Sequence, residues 1–106
     1  MIKKDNIYIC YIAWGTGGKK RPALILSDED GSGERLVFGI TTKYEGKSGK
    51  VRASRLPIQD WQEAGLDKPS YIHLEMIALA EANIGTVPIG KLSKRDAKAV
   101  QSIIGG

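Results

Sequence analysis

Apolar and polar positions fall into short blocks along the chain, and most of the blocks read as strands. Residues 7–14 (I-Y-I-C-Y-I-A-W) are dense in β-branched and aromatic side chains with no polar interruption. That pattern predicts a strand buried on both faces. Gly15, Gly17 and Gly18 end it in a glycine-rich loop. Pro22 opens the next strand, 23–27, at a position where a missing N–H removes nothing from a ladder. Residues 28–34 form a turn, and 35–42 (R-L-V-F-G-I-T-T) form a third strand. Parity places Leu36, Phe38 and Ile40 on one face and Val37, Gly39 and Thr41 on the other. With the bulky set inward, Thr41 points away from the core beside the open space at Gly39, and Thr42 is the inward or strand-end residue.

Residues 43–50 are a polar, glycine-containing loop, followed by a short strand over 51–56. Asp60 and Glu63 have capping-box spacing and Gly65 supplies a stop, predicting one or two helical turns. Residues 70–80 carry mixed signals: Y-I-H-L fits a strand, whereas E-M-I-A-L-A-E-A also passes as helix. The short, turn-bounded neighbours favour strand. Residues 86–89 read as another short strand. The clearest helix closes the chain, with Ser93 as N-cap, Asp96 three residues later, an apolar stripe of Ala97, Val100, Ile103 and Ile104, and Gly105 as the stop. So short a helix is marginal in isolation, so its stripe must pack on the sheet. Lys94, Arg95, Lys98 and Gln101 form its solvated face. The sum is a mainly β fold: a strongly bent antiparallel sheet or small, partly open barrel of five to six short strands, with a short middle helix and a C-terminal helix.

Composition narrows the function classes. A chain of 106 residues has room for one core, hence a single domain over 1–106. Apolar residues at 42% and charged residues at 26% exclude a disordered chain. No apolar run approaches the ~18 residues of a membrane span, and the N-terminus passes into the first strand pattern without a signal-like segment, which makes a cytoplasmic location the expectation. Cys10 is the only cysteine and His73 the only histidine, so neither an internal disulfide nor a Cys/His zinc site can form. Within its strand pattern Cys10 reads as a buried, inert thiol. The net charge of +4 and pI near 9.3 favour anionic partners. Lys43, Lys47, Lys50, Arg52 and Arg55 stand against the single acid Glu45, while Asp28, Glu29 and Asp30 form an acidic loop, so the molecule should have a positive and a negative side.

The segment G-T-G-G-K-K-R-P-A-L-I-L-S from Gly15 to Ser27 invites a nucleotide-loop reading, and spacing removes it. A Walker loop ending at Gly18-Lys19 would need glycine where Ala13 stands and Ser or Thr where Lys20 stands; the dinucleotide fingerprint would need glycine at Lys20. The three consecutive acids cannot converge on a metal as ligands from separate elements do. His73, between Ile72 and Leu74, reads as structural, and one histidine per chain excludes paired acid and base imidazoles unless a dimer shares them. What remains is charge and hydroxyl chemistry. Arg21 can clamp a phosphate with two parallel hydrogen bonds, and Thr41 and Thr42 offer hydroxyls at a strand end. Donors fixed at a phosphodiester stabilise its transition state, and in RNA the substrate's own 2′-hydroxyl can attack, with no metal or cofactor required. Lys20, Lys43 and Lys47 are candidates for steering an RNA backbone and Tyr44 for stacking on a base.

G-G-K-K-R-P-A-L-I-L-S followed by V-F-G-I-T-T resembles the glycine loop, R-P strand and I-T strand end of the MazF/PemK toxins. A-G-L-D-K-P-S-Y-I-H-L and G-K-L-S-K-R-D-A-K-A-V-Q are similar to that family's later half. The resemblance implies an SH3-like barrel with a terminal helix, a homodimer, and metal-independent cleavage of single-stranded RNA at short motifs. It further implies a cognate antitoxin covering the RNA groove, with DNA reached only indirectly through that antitoxin. By motif position it assigns the family's essential arginine to Arg21, its threonine to Thr41 and an acidic residue of the site to Glu75, with Thr16 among the RNA contacts. The chain departs from the pattern at Asp5-Asn6, where Gly-Asp is common, at the 16–20 loop, which lacks Glu-Gln, and at Met76, where glutamine is frequent. These differences bear on RNA sequence preference and leave room for a barrel that binds nucleic acid or a protein without cutting.

Overall fold

The computed structural model describes residues 2–42 and 54–105. Six strands form one antiparallel sheet: β1 (Asn6–Trp14), β2 (Gly17–Ile25), β3 (Glu34–Thr41), β4 (Arg55–Pro57), β5 (Tyr71–Ala80) and β6 (Gly90–Lys91). Their order is β4-β5-β3-β2-β1-β6. A 3₁₀ turn at Glu81–Asn83 follows β5, and the chain ends in helix α1 (Lys94–Ile104). The mainly β reading with a terminal helix is therefore correct. The barrel is open, because among the described residues the edge strands β4 and β6 do not pair with each other.

Both faces of the sheet carry a core. On one, Ile7, Leu24, Phe38, Ile40 and Ile72 pack with Ile58, Ala64, Leu92 and Val100, so α1 and the turns before it form the lid. On the other, Tyr8, Cys10, Ile12, Ala23, Ile25, Val37, Leu79 and Ile84 pack together. The expectation of one inward face on β3 thus needs correction: Val37 is as buried as Phe38 and Ile40, while Leu36 is 40% exposed. A register shift between Phe38 and Ile40 bends the strand at Gly39. Likewise β1 is not buried on both faces throughout, since Ile9 and Tyr11 are exposed while Tyr8, Cys10 and Ile12 face the second core. Cys10 is fully buried, and burial pushes its thiol up to about 11, which keeps it protonated and unreactive. The Tyr8 phenol accepts a hydrogen bond from the Lys3 N–H at 3.0 Å.

Other expectations shift. Gly17 and Gly18 do not lie in a loop: they begin β2, and Trp14 pairs with Gly17 in a tight hairpin. Pro22 sits inside β2, opposite Ile9, one residue before the β2–β3 pairing starts at Ala23. Residues 86–89 are bends, and the short strand comes one step later. Of the predicted strand over 51–56, β4 takes the C-terminal part, and residues 51–53 lie outside the described residues. The middle helix is absent. Asp60 O accepts an i+4 bond from the Ala64 N–H, yet the segment remains a set of turns, and the Asp60 side chain is bound by Ser93 and Arg95 instead of capping a helix of its own.

That junction is the tightest polar feature of the fold. Ser93 caps α1 as predicted, accepting from the Asp96 N–H at 3.3 Å. Asp96 is 3% exposed, and its carboxylate accepts the N–H groups of Gln59 at 2.9 Å and Asp60 at 2.8 Å. Asp60 in turn accepts two bonds from Arg95, at 2.7 and 2.8 Å, and one from Ser93, which hold its carboxyl down to about 2. Gly65 continues the clamp, with φ at +85° and Ile89 O only 2.1 Å from where its Cβ would lie. A Cβ on Gly90 would meet Ala64 O at 1.9 Å. The helix stripe ends early: Val100 is buried, but Ile103 and Ile104 are 47% and 40% exposed. At the opposite end of the sheet, buried Arg35 binds Glu81 at 2.8 Å and the carbonyls of Ile2 and Ser27, closing the second core.

Candidate nucleic-acid interface

The basic triplet lies on β2 rather than in a loop, and strand alternation separates its members. Lys20 pairs with Tyr11, whereas Lys19 and Arg21 pair with Ile12 and Cys10 and share their face. Glycine at position 18 serves this ribbon: a Cβ there would fall 2.6 Å from the Tyr11 hydroxyl, so the tyrosine ring crosses the hairpin only because no side chain is present. Thr16 sits at the exposed hairpin tip.

A groove of about 480 Å³ opens where the ends of β2 and β3 meet the clamp. Ile9, Pro22, Ile40, Leu66 and Ile89 give it an apolar floor, and Arg21, Thr41, Thr42 and Ser70 add polar groups. Lys19, Lys20 and Lys68 bring three further cations against the single carboxylate of Asp67. The structure therefore brings Arg21, Thr41, Thr42 and Lys20 together in one groove. It does not bring Thr16 or Glu75 to that lining, and Lys43, Tyr44 and Lys47 lie outside the described residues.

Thr41 and Arg21 also border a second polar cluster. The β2–β3 register runs Leu24 to Phe38 and Ala23 to Gly39, so Arg21, two residues before Ala23, and Thr41, two residues after Gly39, lie toward the same end of this strand pair. Thr41 pairs with Tyr71, and His73, two residues along the same face of β5, pairs with Arg55. Arg21, Thr41 and Tyr71 each make interactions within the structure, and Arg55 Nη1 donates to Ser54 Oγ at 3.1 Å. Glu75 lies next on this face, with Oε2 3.5 Å from His73 Nε2. His73 is half-buried, and its pKa is lowered by that burial first and then by the Arg55 and Arg21 charges, against an opposing pull from Glu75. The imidazole is thus neutral at neutral pH and close enough to Arg21 to feel its charge.

The sequence reads His73 as structural and Arg55 only as part of a basic run, and it does not single out Lys68. The parity of 71–75 held the signal for His73, since Tyr71, His73 and Glu75 are consecutive same-face residues. Nothing short of the β4–β5 register would have brought Arg55 to it. Among the described residues no three His, Cys, Asp or Glu side chains converge to hold a metal ion, and no helix is long and apolar enough to cross a membrane.

No individual curated protein matches the chain. A family model does, that of the PemK-like, MazF-like toxins of type II toxin–antitoxin systems, and it covers residues 3–105. The match runs from before β1 through α1 and includes every wall of the groove. A bent six-stranded sheet with a terminal helix, a cationic groove holding Arg21 and Thr41, and a family match over nearly the whole chain together place this protein among the PemK-like, MazF-like toxins.

Proposed function

We propose that this toxin is a sequence-selective endoribonuclease that cleaves single-stranded RNA without a metal, through attack of the substrate's 2′-hydroxyl on the adjacent phosphorus. The observation that carries the reading is the placement of Arg21 and Thr41 in one groove with Lys19, Lys20 and Lys68. Charge gathers on the non-bridging oxygens as the pentacoordinate state forms. Arg21, half-buried on a paired strand, neutralises that charge from a fixed position, and the Thr41 hydroxyl donates to the same phosphate. Arg21 is a poor base because guanidinium stays protonated, so its role is electrostatic. Thr42 and the lysines hold flanking phosphates, and the apolar floor receives a base. From the segment after Thr42, Lys43 and Lys47 steer the backbone and Tyr44 stacks, with Thr16 and Glu75 contacting RNA beyond the groove.

Membership of the family implies a cognate antitoxin. In this reading the antitoxin occupies the groove in place of RNA and carries the only link to DNA. The toxin is a cytoplasmic homodimer with one domain per chain and no cofactor. The test is purified protein with a panel of single-stranded RNAs in excess EDTA. Cleavage should occur, and Arg21→Ala and Thr41→Ala should each lower it about 100- to 1,000-fold. RNA bound but uncut across the panel would replace the reading with that of a non-catalytic binding barrel.

A further inference from the structure

We propose that His73 is the general base that takes the proton of the attacking 2′-hydroxyl. The inference rests on the ribonuclease reading and supplies the proton acceptor that neither Arg21 nor Thr41 provides. His73 shares one face of the sheet with Thr41 and Arg21: Tyr71, which pairs with Thr41, lies two residues before it on β5, and Arg55 pairs with it from β4. Between the pairs Phe38–Met76 and Ile40–Ile72, Gly39 is the only β3 residue facing 73–75. A Cβ at Gly39 would meet nothing closer than Ile12 Cδ1 at 3.9 Å, so the sheet leaves room beside the imidazole. At 37% side-chain exposure the ring is held by its neighbours yet open to a substrate. The buried Nε of Arg55 meets no hydrogen-bond acceptor among the described residues, and a phosphate oxygen seated between Arg55 and Arg21 would supply one.

Among the described residues, the groups around His73 are Arg55 from β4, Arg21 from β2, and Tyr71 and Glu75 from β5; β3 contributes Thr41 and Gly39, which do not titrate. In the free protein burial and the two guanidiniums keep the imidazole unprotonated, as a base must be. An imidazolium between two arginines becomes acceptable once a phosphodiester neutralises them, so substrate binding strengthens the base. The 2′-hydroxyl proton passes to an imidazole nitrogen, and the freed electron pair forms the P–O2′ bond. The P–O5′ bond breaks with its pair on the 5′-oxygen, which takes a proton from water. The imidazolium returns its proton to the hydroxide so formed, leaving a 2′,3′-cyclic phosphate and a 5′-hydroxyl.

Because His73 is the only histidine in the chain, its NMR titration in the intact protein is unambiguous. The experiment compares that titration with the pH dependence of RNA cleavage in EDTA. The acid limb of kcat/KM should coincide with the His73 pKa below the ordinary value of about 6.5, and the limb of kcat should lie higher. His73→Gln should lower kcat about 100-fold or more and erase the acid limb, while binding of a single-stranded DNA copy stays within about twofold. Imidazole added to His73→Ala should restore cleavage, which no structural role would produce. An acid limb separated from the titration by more than about one pH unit, or surviving in His73→Gln, would overturn the inference. Wild-type protein that leaves RNA intact would remove the ribonuclease reading and this inference with it, whereas cleavage with a mismatched limb removes the inference alone.

Discussion

Replacing Asp96 with alanine should loosen the wall of the groove from a distance. The carboxylate is 3% exposed and is the acceptor for two backbone N–H groups, those of Gln59 and Asp60. Alanine removes the acceptor of both part-buried donors. Hydrogen bonds to a charged group are worth ~1.5–3 kcal/mol each, so the loss should come to ~3–5 kcal/mol after partial relaxation toward water. For a domain of this size each kcal/mol moves Tm by about 4 °C, giving a drop of about 12–20 °C. Asp96→Asn keeps one acceptor oxygen and should lose about half as much. Thermal unfolding followed by circular dichroism reads both variants. A fall of less than about 4 °C in Asp96→Ala would refute the clamp, because it would mean the two donors find other partners at almost no cost. Gly65 and Leu66 belong both to the clamped turn and to the groove lining, so RNA affinity should fall in the folded variant as well.

Gly90→Ala should destabilise by more than ~3 kcal/mol, since its Cβ would overlap Ala64 O, whereas Gly39→Ala should be tolerated in stability assays because only Ile12 Cδ1 comes within 4 Å. Asp60, held at about 2 by Arg95 and Ser93, contributes stability that is complete above the ordinary carboxylate range and lost as pH falls toward 2; Arg95→Gln should flatten the Tm–pH curve over that window. Asp5 has a left-handed φ of 68°, so Asp5→Gly should raise stability by up to ~1 kcal/mol in denaturant titration, and Asp5→Val should lower it.

What the sequence revealed depends on how local the cause is. Ser93 as N-cap was legible because it acts on its own turn. Asp60 was misread because the signal seen was the local spacing to Glu63, while its partners, Ser93 and Arg95, lie more than thirty residues on. Gly17 and Gly18 read as loop because glycine dilutes a strand pattern, and their pairing with β1 is visible only once the hairpin is closed. Nothing local marks Arg35 as a buried charge, since its burial depends on Glu81 and on carbonyls from two other segments. At the site, Arg21 and Thr41 stood out by motif. His73 did not, for its meeting with Arg55 and Arg21 is set by register across β4, β5 and the bend at Gly39.

In the proposed reaction the substrate's own hydroxyl is the nucleophile, in a groove lined by Arg21 and Thr41. The most direct measurement uses one cleavable single-stranded RNA in EDTA, prepared with and without a 2′-deoxy nucleotide at the cut site, and identifies the product ends by mass. The expected result is a 2′,3′-cyclic phosphate and a 5′-hydroxyl from the RNA, no cut at the deoxy position, and loss of cleavage in Arg21→Ala and Thr41→Ala. Cleavage of the deoxy-substituted strand at that position, or product ends carrying a 5′-phosphate, would contradict it.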